Sequence, residues 1–423
     1  MIVMGGIIGS GIFMNPHVVA EAVHSPAAIL GAWAVGGLIA LAGAFIYAEL
    51  AALRPQVGGQ YAYIREALHP MLAFMYGWTL LLVVQTGGMA AVAVTFARYF
   101  IELSQTTIND RLLAAIALAV LTAVNCFGVR AGGTLQSVLM VLKIAAIVAL
   151  IGFGLSTGKH AASSGASPIG NRSAELTAFG AALVPVLFAY GGWQTANFIA
   201  GEIREPRKNL PRALVLGVVG VVLLYLAVNY VCVNVLGVDE LAATKTPASE
   251  VMRLALGEKG SRLIAVGIAV STLGFLSQGM LTAPRVYFAM ASDGLFFKRV
   301  AWLHPRTRVP VVAIVAQGSL AIVIALAGKY EQILNYVVSI DSIFFGVSAA
   351  CLFALRRRSA MTDGMMKNGL KVNAVVIVLF IAAEWLIAAS AIYKDPRNSA
   401  IGVGILLAGI PIYLFWRRRL ERG

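Results

Sequence analysis

The amino-acid sequence predicts an all-α protein that crosses a membrane twelve times. Its 423 residues are 59% hydrophobic and 12% charged, against roughly 45–50% and about 25% for a soluble globular chain. Apolar runs long enough to cross a hydrocarbon core about 30 Å thick recur along the whole chain, separated by short polar breaks. The basic residues collect in those breaks, so the net charge of +14 belongs to loops at the face of a lipid bilayer and not to a nucleic-acid-binding surface.

Taken in order, the spans are expected at 1–19, 27–53, 70–102, 111–128, 134–157, 177–200, 212–236, 261–290, 310–327, 331–354, 372–392 and 400–417, each to within a few residues. Eight residues precede Gly9 and rise only about 12 Å as helix, short of half the core, so Met1 is expected inside the first span and that helix to be truncated. No cleavage signal precedes the glycines, which keeps the segment in the fold. With the N-terminus inside, twenty of the 33 basic residues fall on cytoplasmic segments, among them Arg207, Lys208, Arg356, Arg357 and Arg358. Eleven fall on the opposite side, and Lys143 and Arg285 lie within spans. This asymmetry predicts that both termini are cytoplasmic, in the inner or plasma membrane.

The first span reads Met4-Gly5-Gly6-Ile7-Ile8-Gly9-Ser10-Gly11-Ile12-Phe13, and each glycine costs a continuous helix about 1 kcal/mol relative to alanine. Two readings fit: close helix packing through small residues, or a break near Gly9 to Gly11 that lines a cavity, since lipid cannot satisfy freed backbone groups. The sixth span repeats the pattern in Phe188-Ala189-Tyr190-Gly191-Gly192-Trp193, five helices later, and favours the break. Matching interruptions in two halves predict a five-plus-five inverted repeat, with 1–157 and 177–354 as the two repeats and 372–417 as the last two helices. Half-helix N-termini offer N–H groups to an anion and unwound carbonyls accept hydrogen bonds from a cation, and an α-amino acid carries both charges.

The two motifs, with Tyr47-Ala48-Glu49-Leu50, Gly58-Gly59-Gln60-Tyr61-Ala62-Tyr63, the stretch from Glu202 to Pro211 and that from Pro284 to Gly294, resemble the amino acid/polyamine/organocation superfamily, specifically its L-type amino acid transporter branch. The resemblance covers nearly the whole chain. It implies a secondary amino acid transporter working by alternating access, with the substrate carboxylate at Ser10, Gly11 and Ile12 and its amine at the carbonyls of Ile8, Phe188, Ala189 and Tyr190. Gly9, Gly191 and Gly192 complete the two breaks, and Phe188 doubles as an aromatic gate. The animal members of that branch join a heavy-chain glycoprotein through a cysteine between the third and fourth helices. Ser104 to Asp110 contains none, so the resemblance implies a monomer or homo-oligomer with no disulfide-linked heavy chain.

Lys143 sits mid-way along Gln136 to Leu155, where a charge requires a partner or a cavity. Snorkelling to an interface is the alternative, an awkward reach from this depth. In the resembled branch a lysine of this helix takes the place that sodium holds in sodium-coupled relatives, touching the unwound first helix and a polar residue of the eighth, for which Ser271 and Thr272 are candidates. The implied transport is sodium-independent, with proton coupling left open. Glu49 and Arg285 are expected to form gate-side salt bridges or interfacial anchors. Asp341 and Glu384 are expected to be structural acids, with a proton-carrying role as the alternative.

Arg54 to Tyr63 is expected to be a hinge or a plain connector, Ala162 to Ser173 an external loop, and Asp239 to Gly260 to include a short helix over the outer mouth. Cys126, Cys232 and Cys351 lack CxxC or Cys/His spacing, so neither disulfides nor metal ligands are expected. No nucleotide-binding loop is present, and no cofactor is expected. An enzyme or a sensor is disfavoured because no nucleophile, acid/base pair or metal cluster is recognisable. Neutral amino acids are favoured as substrates because neither break contains an acid. A polyamine or basic amino acid antiporter or proton symporter is the alternative, with carboxylates supplied by Glu49, Asp341 or Glu384.

Overall fold

The computed structural model describes residues 2–158, 172–327, 330–362 and 371–420. Most of the expected external loop, 162–171, lies outside the described residues, as do Met1, Lys159, Lys329, Lys367 and Arg422.

The first span is two helices, α1 (Ile2–Ile7) and α2 (Gly11–Val23), parted at Ile8, Gly9 and Ser10. α3 (Pro26–Leu53) opens on a proline, which needs no N–H partner in a first turn, behind a Ser25 hydroxyl that accepts the Ala28 amide. A turn at Gly58 and Gly59, both at positive φ, leads to the short α4 (Gln60–Ala67). The third span runs through α5 (Pro70–Thr79), a π-helical turn (Leu80–Val84) and α6 (Gln85–Ser104). This wider turn has no sequence signature and was not expected; the Thr86 hydroxyl donates to the Leu81 carbonyl five residues back at 2.7 Å, satisfying part of it. α7 (Asp110–Cys126), capped by Asn109, and α8 (Val129–Ser156) follow.

The sixth span is also broken. α9 (Arg172–Tyr190) ends at Gly191 and Gly192, and the chain continues as a 3₁₀ segment, Trp193–Glu202. α10 (Pro206–Ala243) is interrupted by Gly237 at φ 75°, and its last turns join α11 (Pro247–Leu256) as the helical segment expected within 239–260. α12 (Glu258–Thr282) and α13 (Pro284–Ser292) adjoin at Ala283. α14 (Val311–Ala327), α15 (Tyr330–Thr362), α16 (Ala374–Lys394) and α17 (Pro396–Leu420) complete the chain.

Among the described residues, nine helical stretches are long and apolar enough to cross a membrane. The other three expected spans fall below that measure for definite reasons: the first is split by its break, and α7 and α14 are 17 residues each. Seventeen residues rise about 26 Å, at the short end of what spans a bilayer.

The polarity of the molecule is reversed relative to a soluble protein. Leu112, Ile116 and Val120 of α7, and Val378, Leu379 and Leu386 of α16, form exposed apolar faces suited to lipid, while Asn15, Glu49, Gln60, Lys143, Asn229 and Gln317 are buried within the bundle. Extensive helix contacts join the two halves, α2 with α9, α3 with α10, α6 with α12 and α7 with α14, alongside those of α12 with α8 and of α15 with α16. Close backbone approach at the centre is possible because glycines face one another there.

Candidate substrate site

The two breaks lie against each other. A Cβ on Gly6 would stand 2.6 Å from the Gly192 carbonyl oxygen, and one on Gly11 would stand 2.7 Å from the Ala189 Cα. Gly192 itself is at φ 100°, which disfavours any side chain. Close packing and helix breakage, posed as alternatives for these glycines, therefore occur together. Asn15 donates to the Pro185 carbonyl at 2.6 Å, tying α2 to α9 below the break.

Each break exposes backbone groups of a definite sign. The C-terminal carbonyls of α1 have no intrahelical partners, and the first amides of α2, including Gly11 and Ile12, have no intrahelical acceptors. Lys143 answers the first set: its ammonium donates to the Ile8 carbonyl at 2.6 Å and to the Gly5 carbonyl at 3.3 Å. The Tyr225 hydroxyl donates to Ile7 at 3.2 Å. Lys143 is fully buried and does not snorkel. Its stem passes Gly274 of α12, where an added Cβ would stand 3.0 Å from Cε.

That path corrects one expectation. Ser271 and Thr272 do not bond the lysine: Thr272 donates back to the carbonyls of Ile268 and Ala269, as hydroxyls in helices readily do, and the buried Ser271 hydroxyl has no partner. The ammonium instead reaches past the eighth span through the gap that Gly274 leaves.

Between the breaks lies a cavity of about 90 Å³, several times the ~10–15 Å³ that one water needs. Gly9, Ser10, Gly11, Phe188, Ala189, Tyr190, Gly191 and Gly192 all line it. Ile8 and Ile12 do not; their side chains are wholly buried in the core, and the Ile8 carbonyl is held by Lys143. The Ser10 hydroxyl is buried without a protein partner. At the second break, the Gly192 amide donates to Gln194 at 2.9 Å, and Thr195 donates to the Gly192 carbonyl at 2.6 Å while accepting from Gln278 at 2.7 Å.

The lining also contains Gln85 beside the π-helical turn, Phe275 and Gln278 of α12, and Ser342, which local sequence did not single out, together with the two intramembrane acids that it did, Asp341 and Glu384. For Asp341 and Glu384 the sequence favours structural roles, with proton carriage or a carboxylate for a cationic substrate as alternatives. Both face the cavity, because α15 and α16 pack side by side against it. Their separation in sequence gave no sign of this; only the burial of each within an apolar helix marked it.

Towards α4 the cavity is closed by layers. Trp193 and Phe345 stack at 5.2 Å between centroids, and Tyr47 packs edge-on against both. Gln60 then donates to Tyr47 at 2.8 Å and to Ser348 at 3.2 Å, and accepts from Tyr76 at 2.8 Å. The Gly58 amide donates to the Phe198 carbonyl at 3.0 Å, so the stretch from Arg54 to Tyr63 is fastened to the 3₁₀ segment. Glu49 and Arg285 both form ion pairs at this end: Arg356 grips Glu49 through two nitrogens at 2.7 and 2.6 Å, and Arg285 meets Glu202 at 2.9 Å.

A helical, multi-pass membrane protein whose two broken helices enclose a central cavity is built to carry a small molecule across and not to transform it. The chain belongs to the amino acid permease family, whose sequence model matches residues 1–416. It is 30% identical to the serine/threonine exchanger SteT of Bacillus subtilis, over 99% of this chain and 95% of that one. It is 29% identical to the human large neutral amino acids transporter small subunit 2, over 99% and 79% of the respective chains. It is 26% identical to the human cystine/glutamate transporter, over 99% and 84%. The protein is therefore an amino acid transporter and not an enzyme.

Proposed function

We propose that the chain carries neutral L-amino acids across a cytoplasmic membrane without sodium, exchanging them by alternating access around the paired breaks. The observation that carries this reading is the Lys143 ammonium on the carbonyl end of α1. A fixed cation there supplies the charge that the negative end of a half-helix attracts, leaving no need for a bound one. The substrate carboxylate is assigned to Ser10 and the first amides of α2 at Gly11 and Ile12, and the amine to the carbonyls at Phe188, Ala189 and Tyr190. The Ile8 carbonyl serves the lysine first.

The proposed topology has twelve crossings, with both termini cytoplasmic and the α4 end facing the cytoplasm. The pairings of α2 with α9, α3 with α10, α6 with α12 and α7 with α14 support a five-plus-five repeat over 1–157 and 177–354, with 372–417 added, because each joins a helix to its counterpart five spans later. The closed layers from Trp193 to Arg356 form the inner gate, and Phe188 the outer one. The chain works as a monomer or homo-oligomer, without a disulfide-linked heavy chain.

The names of the relatives support the substrate class: an exchanger of serine and threonine, and a transporter of large neutral amino acids. The test is uptake of a labelled panel of neutral, acidic and basic amino acids and polyamines into proteoliposomes preloaded with each unlabelled compound. Stimulation by internal neutral amino acids is expected. Movement of polyamines or basic amino acids alone would overturn the substrate assignment.

A further inference from the structure

One surface of the bundle has no task in the transport reading. Between α13 and α14, at the α4 end, the chain runs through a short 3₁₀ turn, Lys298–Ala301, and a connector that reaches α14 at Val311. Lys298, Arg299, Arg306 and Arg308 are exposed there, and among the described residues none of the four has an ion pair or a side-chain hydrogen bond. No Asp or Glu occurs from Gly294 to Tyr330, so the positive charge has no counterweight along this stretch. Two large aromatic side chains stand among the cations, Phe297 at 58% and Trp302 at 47% exposure.

The segment is held in a definite shape. The His304 amide donates to the Val309 carbonyl at 3.0 Å, the Arg308 amide to the His304 carbonyl at 2.9 Å, and the Thr307 amide to His304 Nδ1 at 3.3 Å. Arg308 is at φ 56°, a left-handed conformation unfavourable to a residue with a Cβ. The turn keeps this strain although its two arginines bond to nothing in the protein that would offset it, as happens where a ligand is to be met. Neighbours fix the level of the segment. The Phe297 ring packs edge-on against Trp416 of α17 at 4.9 Å, next to the exposed, lipid-suited Leu414 and Phe415. α14, with Val315 and Val323 exposed, begins two residues after Val309. Cations and aromatics therefore stand together where the apolar surface of the bundle ends.

Aromatic side chains favour the headgroup level of a bilayer, and Lys and Arg reach from there to phosphates. A nucleic acid or an acidic protein would engage the cations and leave Phe297 and Trp302 without a part. A zwitterionic lipid offers a phosphate that its own cation already offsets. We propose that the segment 297–308 binds the headgroup of an anionic phospholipid, with Lys298, Arg299, Arg306 and Arg308 on the headgroup charge and Phe297 and Trp302 against the upper acyl chains. The basic connector from Glu205 to Arg212 is a contrast: Lys208 pairs with Glu205 at 3.9 Å, and no aromatic residue lies within it. The assignment needs only the membrane setting of the chain and stands whatever solute is carried.

The test is native mass spectrometry of the full chain in detergent, with phosphatidylglycerol or phosphatidylcholine of the same acyl chains added at equal concentration. Wild type should hold phosphatidylglycerol about tenfold or more tightly than phosphatidylcholine, each engaged cation contributing about a factor of five. Arg306→Gln should cut that preference about fivefold, Arg306→Lys should keep most of it, and Lys298→Gln with Arg299→Gln should lower it further. Trp302→Ala should weaken both lipids alike. Arg207→Gln with Lys208→Gln should leave the preference unchanged. Equal retention of the two lipids by wild type overturns the proposal. So does a preference that the Arg207 and Lys208 variant loses as fully as the segment's own variants, which would mark a diffuse attraction to surface charge. Displacement of phosphatidylglycerol by equimolar glycerol phosphate would assign the cations to a soluble anion and overturn it as well. The substituted side chains bond to nothing in the protein, so the melting temperature without added lipid should match wild type; if a variant melts early, the wild-type comparison and the glycerol phosphate competition decide.

Discussion

The Lys143 ammonium lies 2.6 Å from the carbonyl oxygen of Ile8, joining the middle of the fifth span to the unwound end of the first. The contact links a buried charge to backbone carbonyls at the broken end of α1. Replacing Lys143 with alanine leaves the Gly5 and Ile8 carbonyls without their donor, at a cost of about 1–3 kcal/mol for each buried group. We expect transport to fall by about tenfold or more, since 1.4 kcal/mol is a factor of ten, and substrate binding to fall less. Uptake rates set against binding by scintillation proximity give both numbers, and wild-type uptake in the variant contradicts the role.

Gly11 is a different case, because its constraint is steric. A Cβ there meets the Ala189 backbone at 2.7 Å, and backbone cannot rotate away. Gly11→Leu should abolish binding, and Gly11→Ala should weaken it by at least about tenfold, in keeping with the 1–3 kcal/mol cost of overpacking. Equilibrium binding to purified protein that remains monodisperse checks this.

Ser10 separates binding from stability. Its hydroxyl is buried without a protein partner, so Ser10→Ala removes no bond from the empty protein. The melting temperature in detergent should stay level or rise. Affinity should fall by about three- to tenfold, the worth of one hydrogen bond. A loss of stability with unchanged affinity would show that the hydroxyl does not face the substrate.

At the α4 end, Glu49 is wholly buried and held by Arg356 and by the Val372 amide at 2.8 Å. Removing one partner of a fully buried pair costs about 3–5 kcal/mol, and the loss here is smaller, because Arg356 is partly exposed and keeps its bond to the Val372 carbonyl. Glu49→Ala should therefore lower the thermal inactivation midpoint in detergent and make a cysteine placed at Ser348 label faster from the α4 side. Unchanged labelling would mean that the pair does not hold this end closed.

Much of this was readable before any coordinates. Four glycines in seven residues cannot sustain a helix, and the break they predict at Gly9 to Gly11 occurs at Ile8 to Ser10, one residue early because Gly11 still fits a helical first turn. Lys143 betrayed a polar partner by its depth alone. The π-helical turn at Leu80–Val84 left no trace, since its sequence is as apolar as any helix in lipid. Of the two contacts expected for Lys143, that to the unwound first helix forms and that to Ser271 or Thr272 does not: Thr272 bonds its own helix, a competition that composition does not reveal, and the lysine passes beside Gly274. Asp341 and Glu384 stand on separate helices, and only packing brings them to one wall.

The most direct test of sodium-free exchange by a carrier with a built-in cation is counterflow of a labelled neutral amino acid into proteoliposomes preloaded with the same compound, with sodium replaced by choline on both sides. The structure of the Lys143 contact predicts the same initial rate in either salt. A rate that collapses in choline and returns with sodium would contradict it, and would mean that the ammonium on Gly5 and Ile8 does not substitute for a transported ion.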